Sequence, residues 1–272
     1  MISYTDDLNT NAKMGKLDNV RRLLQEGANV NAKDGYGCTA LSLACYFVHE
    51  QVALEILKRR DDVDVNARNS DGVPALLVSC NRNLPNVALE ILKRDSADVN
   101  AKDSNGETAL VKACRGRLQQ VALEILKRDG VDVNAKDSYF GFTALYWACY
   151  NKLLDVALEI LKRDDADVNA IFVGGRTTLQ LACYNKLPDV ALEILKRDNV
   201  DVNVKTRKGQ TALSWACNKE LPDVALEILK RDNVDVDATN SDGETALDIA
   251  RRQGCLDIAR YLDEYAERQK YR

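Results

Sequence analysis

Apolar residues along this chain recur as a stripe, not as an alternation. In the segment 121–128 they fall at Val121, Ala122, Ile125 and Leu126, and the i, i+1, i+4, i+5 spacing predicts a helix with one buried edge. The octapeptide VALEILKR that carries the stripe occurs six times unchanged, starting at Val52, Val87, Val121, Val156, Val190 and Val224. A shorter apolar segment precedes each copy, as in Thr108 to Cys114, and a polar break separates the two. Pro85, Pro188 and Pro222 fall in these breaks. Proline costs no hydrogen bond at the first position of a helix and its φ is already helical, so each break predicts the start of a second helix. The pairs Asp71-Gly72, Asn105-Gly106, Lys208-Gly209 and Asp242-Gly243 predict reversals of hairpin type ahead of the first helix.

Two further markers keep the same phase. DVN or a close variant ends at Asn31, Asn66, Asn100, Asn134, Asn169, Asn203 and Asp237, and T-A-L-x-x-A-C or a near match begins at Thr39, Pro74, Thr108, Thr143, Thr177, Thr211 and Thr245. A fixed period of 34 or 35 residues means one supersecondary unit stacked on copies of itself, because a single copy is too small to bury its apolar face. Turn, helix, helix, with the strings G-x-T-A-L-x-x-A and D-V-N-A, resembles the ankyrin repeat family over essentially the whole chain. The resemblance implies an all-α solenoid of stacked helix-turn-helix repeats with short hairpin turns. It predicts a single array over 1–272 of about eight repeats: a polar N-terminal cap (1–33), internal repeats 34–68, 69–102, 103–136, 137–171, 172–205 and 206–239, and a polar C-terminal cap (240–272). The family's T-P-L-H string departs regularly here. Its His is replaced by Ser42, Leu77, Val111, Tyr146, Gln180, Ser214 and Asp248, so the resemblance carries the helical architecture but not the inter-repeat hydrogen bonds that this His makes in the family.

Composition then narrows the chemistry. The 272 residues are 46% hydrophobic and 29% charged with net charge −4, which excludes disorder as the main state. With one histidine no Ser/His/Asp or Cys/His set can be assembled in a cleft, and Gly174 to Thr178 lacks the Lys of a phosphate loop. Catalytic residues, cofactors and metal are therefore expected to be none. The sequence MISYTDDLNT has neither a basic nor an apolar leader region, and no stretch approaches the ~18 apolar residues of a membrane span. A cytoplasmic, reducing setting is expected, with delivery into a host cell left open.

Six of the eight cysteines, Cys45, Cys80, Cys114, Cys149, Cys183 and Cys217, take the same place in successive repeats. Stacked at about 8–10 Å they are too far apart for disulfides and do not converge on a metal, so they are read as small buried side chains. A zinc site from Cys38, Cys45 and His49 matches no established spacing and is set aside. The Lys-Arg pair ending each octapeptide suits the helix dipole, with each Arg four after a Glu, as in Glu90 and Arg94. This self-compensated face and a pI of 5.3 argue against nucleic acid as partner.

A recognition surface is expected where repeats differ. In the ankyrin family, partners contact the hairpin tips and the ends of the first helices along the concave side. Eight of the sixteen aromatic residues lie between 139 and 184, and none between 48 and 138. The partner-binding candidates are Tyr36, Tyr46, Phe47, Tyr139, Phe140, Phe142, Tyr150, Phe172, Arg176 and Tyr184, since aromatic rings and Arg anchor interfaces at low entropic cost. Tyr139, Phe140 and Phe142 are expected on a turn with no core to receive them, whereas Trp147 and Trp215 share a helix position with Leu43 and Leu181 and are expected to be mostly buried. The chain is thus expected to be a non-enzymatic adaptor, scaffold or inhibitor, monomeric alone, that binds a protein and no membrane. A regulatory domain of a longer protein and a consensus-designed scaffold are the alternatives.

Overall fold

Threonine hydroxyls start the first helix of most repeats. Thr39, Thr108, Thr143, Thr177, Thr211 and Thr245 sit on extended backbone and accept a hydrogen bond from the amide three residues on, which satisfies one of the donors a helix leaves open at its N-terminus. Pro74 occupies that place in the third repeat and gives no side-chain cap. Three second helices begin on Pro85, Pro188 and Pro222, as the breaks predict, and these have no side-chain cap. At the end of the first helices the chain turns through a residue with positive φ: Val48, Asn83, Arg117, Lys152, Lys186 and Glu220, with Gly15 and Gly254 at the two ends of the series.

The computed structural model describes residues 7–59, 62–69 and 71–269. The chain divides at Tyr139 and Phe140 into two compact units. The first contains α1 (Leu8–Lys13), α2 (Leu17–Gln25), α3 (Ala40–Tyr46), α4 (Glu50–Leu57), α5 (Ala75–Asn81), α6 (Pro85–Leu92), α7 (Ala109–Arg115) and α8 (Gln119–Leu126). Here α1, α3, α5 and α7 stack into one layer and α2, α4, α6 and α8 into another, with each first helix packed on its own second helix. The second contains α9 (Ala144–Tyr150), α10 (Leu154–Leu161), a short antiparallel ladder of β1 (Ile171–Phe172) and β2 (Arg176–Thr177), α11 (Thr178–Tyr184), α12 (Pro188–Leu195), α13 (Ala212–Asn218), α14 (Pro222–Leu229), α15 (Ala246–Arg252) and α16 (Leu256–Gln269). It has the same two layers, α9, α11, α13, α15 and α10, α12, α14, α16. Both units are α-solenoid stacks of helix-turn-helix repeats, the fold class that the sequence predicts.

Between layers lies the core. The Val, Ala, Ile and Leu of every octapeptide face it, and the six repeated cysteines are buried in it as free thiols while Cys38 and Cys255 are half-buried. Burial pushes the thiols of Cys45, Cys80, Cys149, Cys183 and Cys217 up to about 12.

Two side-chain series hold neighbouring repeats together, and neither is the one expected. The Lys of each Lys-Arg pair takes the Glu three residues before it, as in Lys93 with Glu90 (2.5 Å) and Lys196 with Glu193 (2.6 Å). The Arg instead reaches back to the preceding repeat: Arg59 bonds the carbonyl of Leu24, Arg94 that of Leu57 (2.9 Å), Arg128 that of Leu92, Arg197 that of Leu161 (2.6 Å) and Arg231 that of Leu195 (2.5 Å). Each closes the open carbonyl end of a second helix with a charged donor. The Asn of DVN bridges in the other direction. Asn169 donates to the Asn199 carbonyl (2.8 Å) and accepts from the Asp201 amide (2.9 Å), and Asn31, Asn66, Asn100 and Asn203 repeat the pair of bonds. At the His position of the family, Gln180 donates to the carbonyls of Val204 (2.5 Å) and Gln210 (3.2 Å). The repeats are therefore hydrogen-bonded to one another without that His.

Candidate partner-binding surface

In the first unit the predicted tip and first-helix residues come together. The tip is an Asx turn in which Asp34 Oδ1 accepts from the amides of Tyr36 and Cys38 (both 2.9 Å), a pattern that holds Tyr36 out at 76% exposure. Tyr36, Cys38, Tyr46 and Phe47 line an open depression of about 250 Å³. Tyr46 and Phe47 meet edge to face at 5.2 Å, the Arg82 guanidinium lies 4.2 Å from the Tyr46 ring centre, and Lys13 Nζ lies 5.4 Å from that of Phe47. His49 is turned away, with Nε2 3.0 Å from the Lys13 carbonyl. Tyr139 ends this unit, 76% exposed.

A buried ionic cluster occupies the fourth repeat. Lys112 bonds Asp103 (2.7 Å) and Glu107, and Arg115 bonds Glu107 at 2.6 Å. Glu107 and Lys112 hold the places that Phe142 and Trp147 take in the next repeat. These charges answer one another and present no free carboxylate or ammonium to a ligand.

The second unit carries a run of rings along its first-helix layer. Phe140 stacks on Phe142 (5.3 Å), Phe142 on Tyr146 (4.0 Å) and Tyr146 on Tyr150 (6.0 Å), with Trp147 meeting Phe142, Tyr146 and Tyr150 edge-on. Phe140 and Tyr150, at the two ends, are about half exposed. Two expectations change here. Phe142 is half-buried inside the stack, so the turn does have a core to receive it. Phe172 is buried at 3% and packs edge-on at 4.7 Å from Tyr146. The β1–β2 ladder is the reason, since alternation along a strand turns Ile171 outward and Phe172 inward. Phe172 therefore supports the stack and offers a partner no surface. Trp215 is buried as expected, but Trp147 is only half so.

Arg176 and Tyr184 form a second group. The Arg176 guanidinium lies 5.1 Å from the Tyr184 ring centre and 5.7 Å from that of Trp215; Lys219 Nζ lies 4.9 and 5.8 Å from the same two rings. Sequence reading missed Lys219, Arg82 and Lys13, cations that sit over exposed rings. Their signal is a basic residue just after the first helix, as at Arg82 and Lys219. It also missed a hollow of about 520 Å³ on the second-helix layer, lined by residues of α12, α14 and α16 including Tyr261 and Tyr265.

Among the described residues no group of three or more His, Cys, Asp or Glu could hold a metal ion, and no helix is long and apolar enough to cross a membrane. A family model described as ankyrin repeats in three copies matches residues 8–103, 53–137, 76–171, 122–206 and 179–270. The chain belongs to the ankyrin repeat family, whose repeats generally serve as protein–protein interaction modules. A search of curated proteins finds no match.

Proposed function

We propose that the protein is a non-enzymatic adaptor or inhibitor that binds a protein partner through hairpin tips and first-helix ends. The observation that carries this reading is the placement of its exposed rings. Tyr36, Tyr46, Phe47, Tyr139, Phe140, Tyr150 and Tyr184 are all exposed, and every one lies on a tip or at the end of a first helix. Rigid aromatic rings in contact with water are interface anchors, because covering them gains much apolar area for little lost rotamer freedom. The second-helix layer is built of the repeated octapeptide with its Lys–Glu pairs and is scaffold.

The test is affinity capture from a cell extract with identification of bound proteins. Phe140→Ala with Tyr150→Ala should weaken capture by more than about tenfold, since loss of one anchor costs about 2 kcal/mol. Lys162→Ala, on the second-helix layer with its side chain 70% exposed, should leave capture intact. Capture that survives the aromatic double but fails with Lys162→Ala would place the interface on the other layer.

A further inference from the structure

The second unit sorts its charges by layer. Residues 140–153, 171–187 and 205–221 make the tips, first helices and breaks of its first three repeats, and hold seven basic residues against one acidic, Glu220. The segments between them, 154–170, 188–204 and 222–238, make the second helices and their exits, and hold fourteen acidic residues against six basic. A chain of net charge −4 thus keeps one cationic layer. Of its seven cations, Lys205 is paired with Asp235 at 3.1 Å. Among the described residues no carboxylate forms an ion pair with Arg176, Lys219, Arg207, Lys208, Lys152 or Lys186.

Arg176 and Lys219 are the focus of this layer. Both stand over the exposed ring of Tyr184 and beside Trp215. Trp215 is 8% exposed, and its Nε1 is a buried donor with no acceptor. Two cations without a counter-charge therefore meet over one exposed ring, an arrangement that favours an anion. The next tip adds the exposed Arg207 and Lys208.

We infer that this layer takes an extended acidic peptide segment of a protein partner, with one carboxylate on Arg176 and Lys219 beside Tyr184 and a second on Arg207 and Lys208. The inference rests on the reading that this layer binds protein, and it names the chemistry of what is bound. Packed helices lie about 8–10 Å apart and an extended chain advances about 3.3 Å per residue, so carboxylates about three residues apart suit cations one repeat apart, Arg176 in repeat 172–205 and Arg207 in repeat 206–239. The basic stretch ends at Asp242 and Asp248 in the last repeat. That boundary suits a short acidic segment and repels a polyanion charged at every link, which sets a peptide above a nucleic acid.

The test uses the full chain and a displayed library of random dodecapeptides. Selected peptides should be enriched at least about threefold in Asp and Glu over the input, at a spacing of three. Arg176→Gln with Lys219→Gln should weaken those peptides by about tenfold with the unfolding temperature unchanged, and raising NaCl from about 50 to 500 mM should weaken them on the unaltered chain. Selection of neutral or basic peptides, acidic peptides indifferent to the double substitution, or tighter binding of a twelve-nucleotide oligo-dT than of the selected peptides would each overturn the inference. Peptides without acidic bias that are lost with Phe140→Ala and Tyr150→Ala would overturn it while leaving the protein-binding reading in place. Recovery of no peptide at all would overturn it too.

Discussion

Replacing Val48 by glycine should stabilise the protein, although it removes a branched side chain. Val48 stands where the first helix of its repeat turns into the second, with φ at 63°. An L-residue in the left-handed region brings Cβ against the carbonyl oxygen at a cost of about 1–2 kcal/mol, and a β-branched residue lies at the upper end. Glycine removes that cost but has a freer unfolded chain, which returns about 0.5–1 kcal/mol. Val48 is 52% exposed, so little packing is lost. The net gain should be about 0.5–1 kcal/mol. The same position in the other repeats supplies an internal scale: Lys152 at 58° and Lys186 at 56° should gain less than Val48, and Asn83 at 60° should gain almost nothing because Asn tolerates this region. Urea midpoints and slopes for the four single glycine variants measure the series. If Val48→Gly destabilises by about 1 kcal/mol, as glycine does inside a helix, or if the order of the four is reversed, the strain assigned to this turn is absent.

The packing sets three further outcomes. Thr178 is fully buried with Oγ1 unpaired, where other repeats place Ala40, Ala75, Ala109, Ala144, Ala212 and Ala246; Thr178→Ala should raise stability by about 1 kcal/mol, and a loss of that size in urea unfolding would show the hydroxyl to be bonded. Leu161 is 1% exposed, so Leu161→Ala should cost about 2–5 kcal/mol while Glu159→Ala changes stability by less than about 0.5; the opposite ranking would reverse the helix face. Burial holds five thiols at about 12, above their ordinary 9.0. The unfolded chain therefore sheds these protons first, and stability that is whole below pH 9 should fall as pH rises from 9 towards 12; the fall should be shallower for Cys149→Ala with Cys183→Ala, and equal slopes would remove the thiols as its cause.

The helix pairs, the proline starts, the buried cysteines and the family were legible because a strict period turns one apolar stripe into seven or eight independent readings of it. The bonds between repeats were not. Arg94, Arg197 and Asn169 reach main-chain carbonyls 30 to 37 residues away, and a carbonyl is the same in every residue, so no partner side chain advertises the contact. Only the constancy of the Arg and Asn hinted at it. At the candidate surface, Tyr36, Tyr46, Phe47, Tyr139, Phe140, Tyr150 and Tyr184 were placed by their position in the repeat. Phe172 was misplaced because its turn folds differently: Gly174 and Gly175, both at positive φ, let residues 171–177 close as a ladder that swings Phe172 beneath the stack.

The arginine that caps a preceding helix gives the octapeptide two jobs at once. In Leu57 and Arg59, or Leu195 and Arg197, one copy offers its last carbonyl to a successor and lends its guanidinium to a predecessor. A copy inserted whole anywhere in such a series finds an acceptor on one flank and a donor on the other, with no second change needed. A copy that loses its arginine leaves its predecessor's carbonyl open, while its own carbonyl is still closed by its successor. Growth by exact duplication is thus compatible with the chemistry of the seams. The series is also polarised: the ends of α2, α4, α6, α10 and α12 are finished by the next repeat along the chain, and the last capping arginine, Arg231, has its own carbonyl met by the Tyr265 hydroxyl at 3.3 Å. A tyrosine on the long closing helix α16 thus stands in for the arginine that another repeat would have brought.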